Sequence, residues 1–220
     1  MFDEFKNAFQ RQNNAHIQLI IINVTVYLVL AILFVFSKWF GFFSFFEQVY
    51  AQFAIPHNFW EFVQKPWTLI TYFFTHSITR IWHILGNMFV LYWFGKLFVE
   101  YLGSDKLVSL YVLGGISGAV VYLMVYNLIP SPPEFLTSSG AMVGASAAIF
   151  AIMVGSATLL PDYTFYLLFL GPVKIKYIAG VYIFLSFLGS VGENAGGEIA
   201  HLGGALMGFV YIKQLQAGVD

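Results

Sequence analysis

Four polar side chains that can do chemistry lie within otherwise apolar stretches of the sequence: His83, Asn87, Ser146 and His201. Strongly polar groups are unfavourable in hydrocarbon, so each of them is a functional hypothesis by default. A serine hydroxyl is a weak nucleophile until a base removes its proton, and a histidine can take that proton and then protonate a leaving amine. We therefore predict that Ser146 is a nucleophile and that His201 is its general base and acid.

His83 and Asn87 are four residues apart, so on a helix they share one face about a turn apart. Both side chains can donate hydrogen bonds. Together with the backbone N–H of Ser146, they are predicted to stabilise a carbonyl oxygen as it becomes an oxyanion. The alternative for this pair is a polar contact between two helices.

Ser146 lies at the start of an apolar stretch, Gly144–Leu160, that is short for a membrane helix. In the first turn of a helix, free backbone N–H groups and the helix dipole favour an oxyanion. The preceding residues, 130–143, include many that disfavour helix, and we expect them to form a loop that lets water reach Ser146. The alternative is a packing role, with the hydroxyl bonded to its own backbone.

Small residues surround His201. Ala200, Gly204 and Gly208 repeat at four-residue spacing, a pattern that lets another helix approach closely. The stretch that carries Ser146 is also rich in Gly and Ala, so we expect the two helices to pack together and His201 to bond Ser146.

No Asp or Glu is obviously placed to orient His201, because Glu193 and Glu198 are assigned to the rim of the site. The sequence thus predicts a dyad rather than a triad. Phe150, one turn after Ser146, is expected to pack against the imidazole instead.

The composition indicates what must position these residues. Of 220 residues, 59% are hydrophobic, 20% are aromatic and only 10% are charged, whereas soluble chains are about 25% charged. This excludes a disordered chain and a coiled coil, and the net charge of −1 argues against a nucleic-acid binder. The absence of cysteine excludes disulfides, thiolate metal sites and cysteine nucleophiles. An integral membrane protein of one domain remains.

A membrane helix needs about 20 mostly apolar residues, and six stretches approach this length. They are Ile17–Phe36, Ile81–Val99, Leu107–Ile129, Gly144–Leu160, Tyr177–Gly192 and Ala195–Ile212. We therefore expect an all-α bundle of six transmembrane helices. Its domain spans residues 17–216, after a cytoplasmic segment, 1–16, and before a tail, 217–220.

Two connections have their own character. The long first loop, 37–80, is rich in Phe and Trp and is expected to lie in the membrane–water interface. The segment Tyr163–Val173 is apolar but short, and is expected to be interfacial or re-entrant.

The basic residues predict the orientation. With six spans, one side carries seven of the ten Lys and Arg: Lys6, Arg11, Lys96, Lys106, Lys174, Lys176 and Lys213. The positive-inside rule then places both termini in the cytoplasm, with the site opening to the opposite side. Because the chain is compact and shows no transit peptide, a bacterial plasma membrane is expected.

The chain resembles the rhomboid intramembrane serine proteases over nearly all of its length. The resemblance rests on three short motifs, on the second, fourth and sixth predicted spans: His83-Ile-Leu-Gly-Asn87, Gly144-Ala-Ser146 and Ala200-His201-Leu-Gly-Gly204. It implies a fold of six helices and cleavage of transmembrane protein substrates near their extracytoplasmic ends. No cofactor, metal or nucleic acid is expected.

The resemblance also implies roles for single residues. Ser146 and His201 would be catalytic, and His83 and Asn87 would form the oxyanion site. Gly144, Phe150 and Gly204 would support the motifs, and His76 would be structural. The fifth helix, with the residues from Glu193 to Glu198, would be a moving gate for substrate.

Three positions depart from the family pattern. Ala147 replaces a glycine after the nucleophile, Thr68 replaces an arginine after Trp67, and Phe150 stands where tyrosine is common. None of the three removes the dyad.

Other functions stay open from the sequence. The main alternative is an inactive rhomboid-like protein that binds membrane clients without cutting them, although such relatives generally lack the Ser or the His. A small transporter would use the polar residues as a path, but no inverted repeat is evident. A metalloprotease is disfavoured because the chain has no His-Glu-x-x-His motif.

Overall fold

The computed structural model describes residues 9–129 and 140–219, and these residues are mostly helical. The predicted N-terminal segment and the predicted loop before Ser146 thus lie partly outside the described residues. The principal elements are α1 (Ala15–Trp39), α2 (Phe43–Tyr50), α3 (Phe59–Gln64), α4 (Thr68–Thr71), a 3₁₀ turn (Tyr72–Phe74), α5 (Ile81–Leu128), α6 (Ser146–Leu159), β1 (Thr164–Leu167), β2 (Gly171–Lys174), α7 (Ile175–Gly189) and α8 (Ala195–Gln216).

Helix α5 contains two of the predicted spans. Gly103 interrupts it with φ 82° and ψ 172°, a conformation that glycine adopts without the steric penalty of a side chain. The element is therefore two helical arms, 81–102 and 104–128, that meet at a sharp bend rather than at a polar loop.

The helices overlap all six predicted apolar stretches. By length and composition, α1 and α5 are long and apolar enough to cross a membrane, and α6 and α7 are apolar but shorter. That all six stretches span a bilayer stays a prediction.

The two unusual connections form local structure of different kinds. The long first loop folds into α2, α3, α4 and the 3₁₀ turn and exposes Trp39, Trp60 and Trp67. The segment Tyr163–Val173 contributes to an antiparallel hairpin in which Thr164 pairs with Lys174. These strands were not predicted, because the segment lacks the polar–apolar alternation that reveals a half-buried strand.

Helix α6 lies in the core, between α5 and α8. Positions 204 and 208 of α8 face the backbone of α6 so closely that a Cβ there would overlap the carbonyl oxygens of Ala147 and Ala151. Glycine at both positions allows the two helices to meet nearly backbone to backbone. This α6–α8 interface, defined by Ala147, Ala151, Gly204 and Gly208, is the packing that the spacing of small residues predicts.

Candidate active site

The turn before Ser146 is fixed by the first loop. The N–H of Gly144 donates to the carbonyl of Tyr72 (3.0 Å), and Ile55 and Met142 exchange two backbone hydrogen bonds (2.9 and 3.0 Å). Gly144 has φ +137°, a backbone conformation that side chains disfavour. Helix α6 then begins at Ser146 itself, so the Ser146 N–H is one of the groups that have no partner within the helix.

Ser146 and His201 are hydrogen-bonded across the α6–α8 interface. The Ser146 Oγ lies 2.7 Å from His201 Nε2, a short distance for a hydroxyl and a ring nitrogen. Both residues are partly exposed. The structure therefore brings together the two residues that the sequence predicts to be nucleophile and base.

Phe150 lies against the imidazole. Its ring is stacked on His201 with centroids 4.3 Å apart and planes 15° apart, and Tyr182 of α7 meets the Phe150 ring edge-on at 6.0 Å. These rings restrict the rotation of His201.

His83 presents a hydrogen-bond donor to the turn that precedes Ser146. The backbone N–H of Ser77 donates to His83 Nδ1 (3.3 Å), so the proton of a neutral His83 ring is on Nε2. That nitrogen faces Gly144, since a Cβ built at position 144 would lie 2.8 Å from it. Asn87 Nδ2 donates one proton to the His83 carbonyl (2.6 Å), and its second amide proton is available to a ligand.

These residues line one cavity of about 360 Å³, together with Gly144, Phe150 and Glu198. The cavity thus brings together a hydroxyl, an imidazole that is hydrogen-bonded to it and N–H donors, which are the types of group that acyl transfer requires. Among the described residues, no group of three or more His, Asp or Glu side chains could hold a metal ion.

The prediction that no carboxylate lies beside His201 is wrong. Glu198 Oε2 lies 3.1 Å from His201 Nδ1, and Ser186 Oγ of α7 lies 3.0 Å from the same nitrogen. The sequence contained a signal for Glu198, because residues three apart share a helix face. Ser186 has no such signal, since it comes from another helix.

His76 is fully buried, with its ring centroid 5.2 Å from that of His83. Burial, with a smaller effect of the nearby His83, lowers the pKa of His76 to about 3. His76 thus packs as a neutral ring against His83. Its predicted structural role stays a prediction.

The departures from the family pattern have local explanations at two positions. The methyl group of Ala147 is accommodated because position 118, which faces it on α5, is a glycine. Thr68 is buried, and its hydroxyl donates to the carbonyl of Lys65 (2.6 Å), which closes a turn within the first loop.

Comparison with known proteins shows the family of the chain. The profile of the Rhomboid domain family matches residues 63–216. RHOMBOID-like protein 12, mitochondrial, of Arabidopsis thaliana is 34% identical over 165 residues, which cover 69% of this chain and 47% of the relative. Rhomboid protein 1, mitochondrial, of Saccharomyces cerevisiae is 32% identical over 179 residues, covering 73% and 48%. Presenilin-associated rhomboid-like protein, mitochondrial, of Mus musculus is 30% identical over 144 residues, covering 63% and 36%.

The chain spans about half of the length of the first two relatives and about a third of the third. All three are named as mitochondrial proteins, which overturns the expectation of a bacterial plasma membrane with both termini in a cytoplasm. The positive-inside rule reports sides of a membrane, and it cannot identify the membrane. The family match covers well over half of the chain, and the chain belongs to the rhomboid family.

Proposed function

We propose that this chain is an intramembrane serine endopeptidase that cleaves transmembrane protein substrates. The observation that carries the proposal is the 2.7 Å contact between Ser146 Oγ and His201 Nε2, inside a cavity that is also lined by His83 and Asn87. A protein that only binds membrane clients has no need for a nucleophile and a base at hydrogen-bond distance.

The first half of the reaction forms an acyl-enzyme. His201 Nε2 takes the Ser146 proton while Oγ bonds to the substrate carbonyl carbon, and the carbonyl electrons move onto oxygen. His83 Nε2–H, the Asn87 amide and the Ser146 N–H are the donors for this oxyanion. Collapse of the intermediate breaks the C–N bond, and His201 gives its proton to the leaving amine.

The second half consumes one water. His201 removes a proton from the water, whose oxygen attacks the ester carbon. The C–O bond to Ser146 then breaks, and the serine recovers its proton from His201. The products are two peptides, and the protein is unchanged.

The setting of the reaction is part of the proposal. The six apolar stretches cross a bilayer, with the aromatic first loop at its surface, and α7 is the side from which a substrate helix enters. The names of the relatives support a mitochondrial membrane. The substrate class comes from the family resemblance.

The test is cleavage of a reporter with a single transmembrane helix by the purified protein in liposomes. Ser146→Ala and His201→Ala are each expected to abolish cleavage. Ser156→Ala is a matched control, because Ser156 lies on the same helix and is buried, and its hydroxyl has no hydrogen-bond partner within the described part of the chain. Cleavage that survives in Ser146→Ala would contradict the proposal.

A further inference from the structure

We propose that Glu198 is a positioning residue for His201, so that the site works as a Ser146–His201–Glu198 triad. The inference rests on the proposed function, because it assigns a role in the same reaction. It starts from the contact of Glu198 Oε2 with His201 Nδ1 at 3.1 Å.

The direction of this hydrogen bond follows from the chemistry of the base. His201 Nε2 must be free of hydrogen to accept the Ser146 proton, so the ring proton of neutral His201 is on Nδ1. An ionised carboxylate can only accept, whereas the Ser186 hydroxyl can also donate. Ser186 and Asn194 also lie near enough to Glu198 to favour its ionised form. The consistent arrangement has Nδ1–H donating to Glu198 and the Ser186 hydroxyl donating to the same carboxylate.

The structure provides space for this side chain. A Cβ at position 189, at the end of α7, would lie 2.9 Å from Glu198 Cγ and 3.1 Å from Cδ. Glycine there leaves room for the carboxylate to reach His201. Glu198 retains 23% of its side-chain exposure and His201 13%, so the pair is largely shielded and water weakens it less than it weakens a surface pair.

The contact is built into a single helix. Glu198 is in the first turn of α8, where the helix dipole favours a negative charge, and His201 follows three residues later. The spacing of Glu198 and His201 is therefore set by α8 alone and does not depend on the position of α7.

The Glu198 carboxylate stabilises His201 when the Ser146 proton moves to the imidazole. As Nε2 takes the Ser146 proton, the imidazole becomes a cation beside the Glu198 anion, and the proton on Nδ1 stays on Nδ1. The carboxylate lowers the energy of this ion pair and holds the ring in the tautomer that a base requires.

The experiment measures the rate at which a fluorophosphonate labels Ser146, as a function of pH, in the full chain in liposomes. Glu198→Gln is expected to slow labelling by about tenfold or more at the pH optimum, since a hydrogen bond to a charged group has a strength of that order. The acidic limb of the profile should also move to lower pH, because the imidazolium has lost its anion. The other titratable groups that line the cavity, Tyr72, His83 and Tyr182, are the same in every variant.

Glu61→Gln is the matched control. Glu61 is also a glutamate in the first turn of a helix, but it is exposed. Its variant should label at the parent rate with the parent profile. A merely structural role of Glu198 would lower thermal stability without moving the acidic limb.

A second pair of variants displaces the carboxylate without removing it. Gly189→Ala is expected to slow labelling severalfold by pushing Glu198 aside. Gly180→Ala lies on the same helix with nothing within 4 Å and should leave the rate unchanged.

The outcomes distinguish a failure of the triad from a failure of the proposed function. Equal rates and profiles in the parent and Glu198→Gln would overturn the triad alone, as would a larger loss in Ser186→Ala than in Glu198→Gln. A parent in which Ser146 is not labelled would overturn the proposed function, and the triad with it.

Discussion

Helices α6 and α7 both border the candidate site, but they are held very differently. Of the 14 residues of α6, every one from Ala147 to Ala157 is buried. Of the 15 residues of α7, only Ile175, Ala179 and Ser186 are buried. Ser146 thus lies at the start of a helix that its neighbours enclose, next to a helix that presents most of its surface outward.

The difference follows from side-chain size. Small residues on α6 and α8 let their backbones meet, and such contact fixes the distance between Ser146 and His201. Helix α7 carries large apolar side chains such as Phe184 and Phe187, which are more than half exposed. A site that holds its reacting groups in fixed positions and also admits a helical substrate would need one enclosed helix, such as α6, and one exposed helix, such as α7.

The largest effect is expected from breaking the α6–α8 interface. In Gly204→Ala, the new methyl group would overlap the Ala147 carbonyl, a backbone atom that cannot move away alone. We expect a loss of about 3 kcal/mol in the free energy of unfolding, together with loss of cleavage. Thermal unfolding in detergent micelles checks this, with Gly180→Ala as the control for helix propensity. Equal stability of the two variants would contradict the close contact.

The second prediction compares the truncation of one side chain on α6 with the truncation of one on α7. Ile152→Ala on α6 removes a side chain with no exposure, whereas Leu185→Ala on α7 removes one that is 57% exposed. We expect the first to destabilise the protein by about 2 kcal/mol or more because it leaves a cavity, and the second to have little effect. The same unfolding assay measures both, and similar losses would refute the comparison.

The buried residue His76 also predicts that the stability of the protein depends on pH. Burial lowers the pKa of His76 from 6.5 to about 3, so the folded protein stays neutral there while the unfolded chain takes up a proton below pH 6.5. Stability should therefore fall on acidification between those values, by up to about 1.4 kcal/mol per pH unit. His76→Gln should lose less stability than the parent between pH 7.5 and pH 4.5. An unchanged loss would show that His76 does not titrate in this way.

The smallest effect is expected at the β1–β2 hairpin, which leads directly into the exposed helix α7. Hydrogen bonds from Lys174 and Lys176 (2.9 and 2.8 Å) lower the pKa of Asp162 to about 2. Any stabilisation is present above the ordinary value of 3.8 and is lost as the pH falls towards 2. Because these side chains are well exposed, water and salt screen them. Asp162→Asn should leave the melting temperature within error of the parent at pH 7, and a drop as large as that of Ile152→Ala would contradict this.

Much of the fold could be predicted because its signals are local. Apolar stretches of helical length gave the positions of the helices, and the spacing of Ala200, Gly204 and Gly208 indicated where α8 meets α6. The pairing of Ser146 with His201 followed from this packing. Whether the pair catalyses a reaction stays a prediction.

What the sequence did not reveal depends on contacts between distant segments. The bonds from Ile55 and Tyr72 that fix the Ser146 turn join the first loop to residues far along the chain, and no periodicity reports them. The contact of Glu198 with His201 was missed because Glu198 was assigned to the rim, although α8 begins three residues before it. The hairpin was missed because its residues are apolar on both faces.

The most direct test of the central claim uses no substrate. The purified protein in liposomes is treated with a fluorophosphonate, and the modified residue is identified by peptide mass spectrometry. The account predicts labelling of Ser146 in the parent, none in Ser146→Ala, and labelling slower by about 100-fold or more in His201→Ala, because the base is gone. Labelling at another residue, or an unchanged rate in His201→Ala, would contradict it.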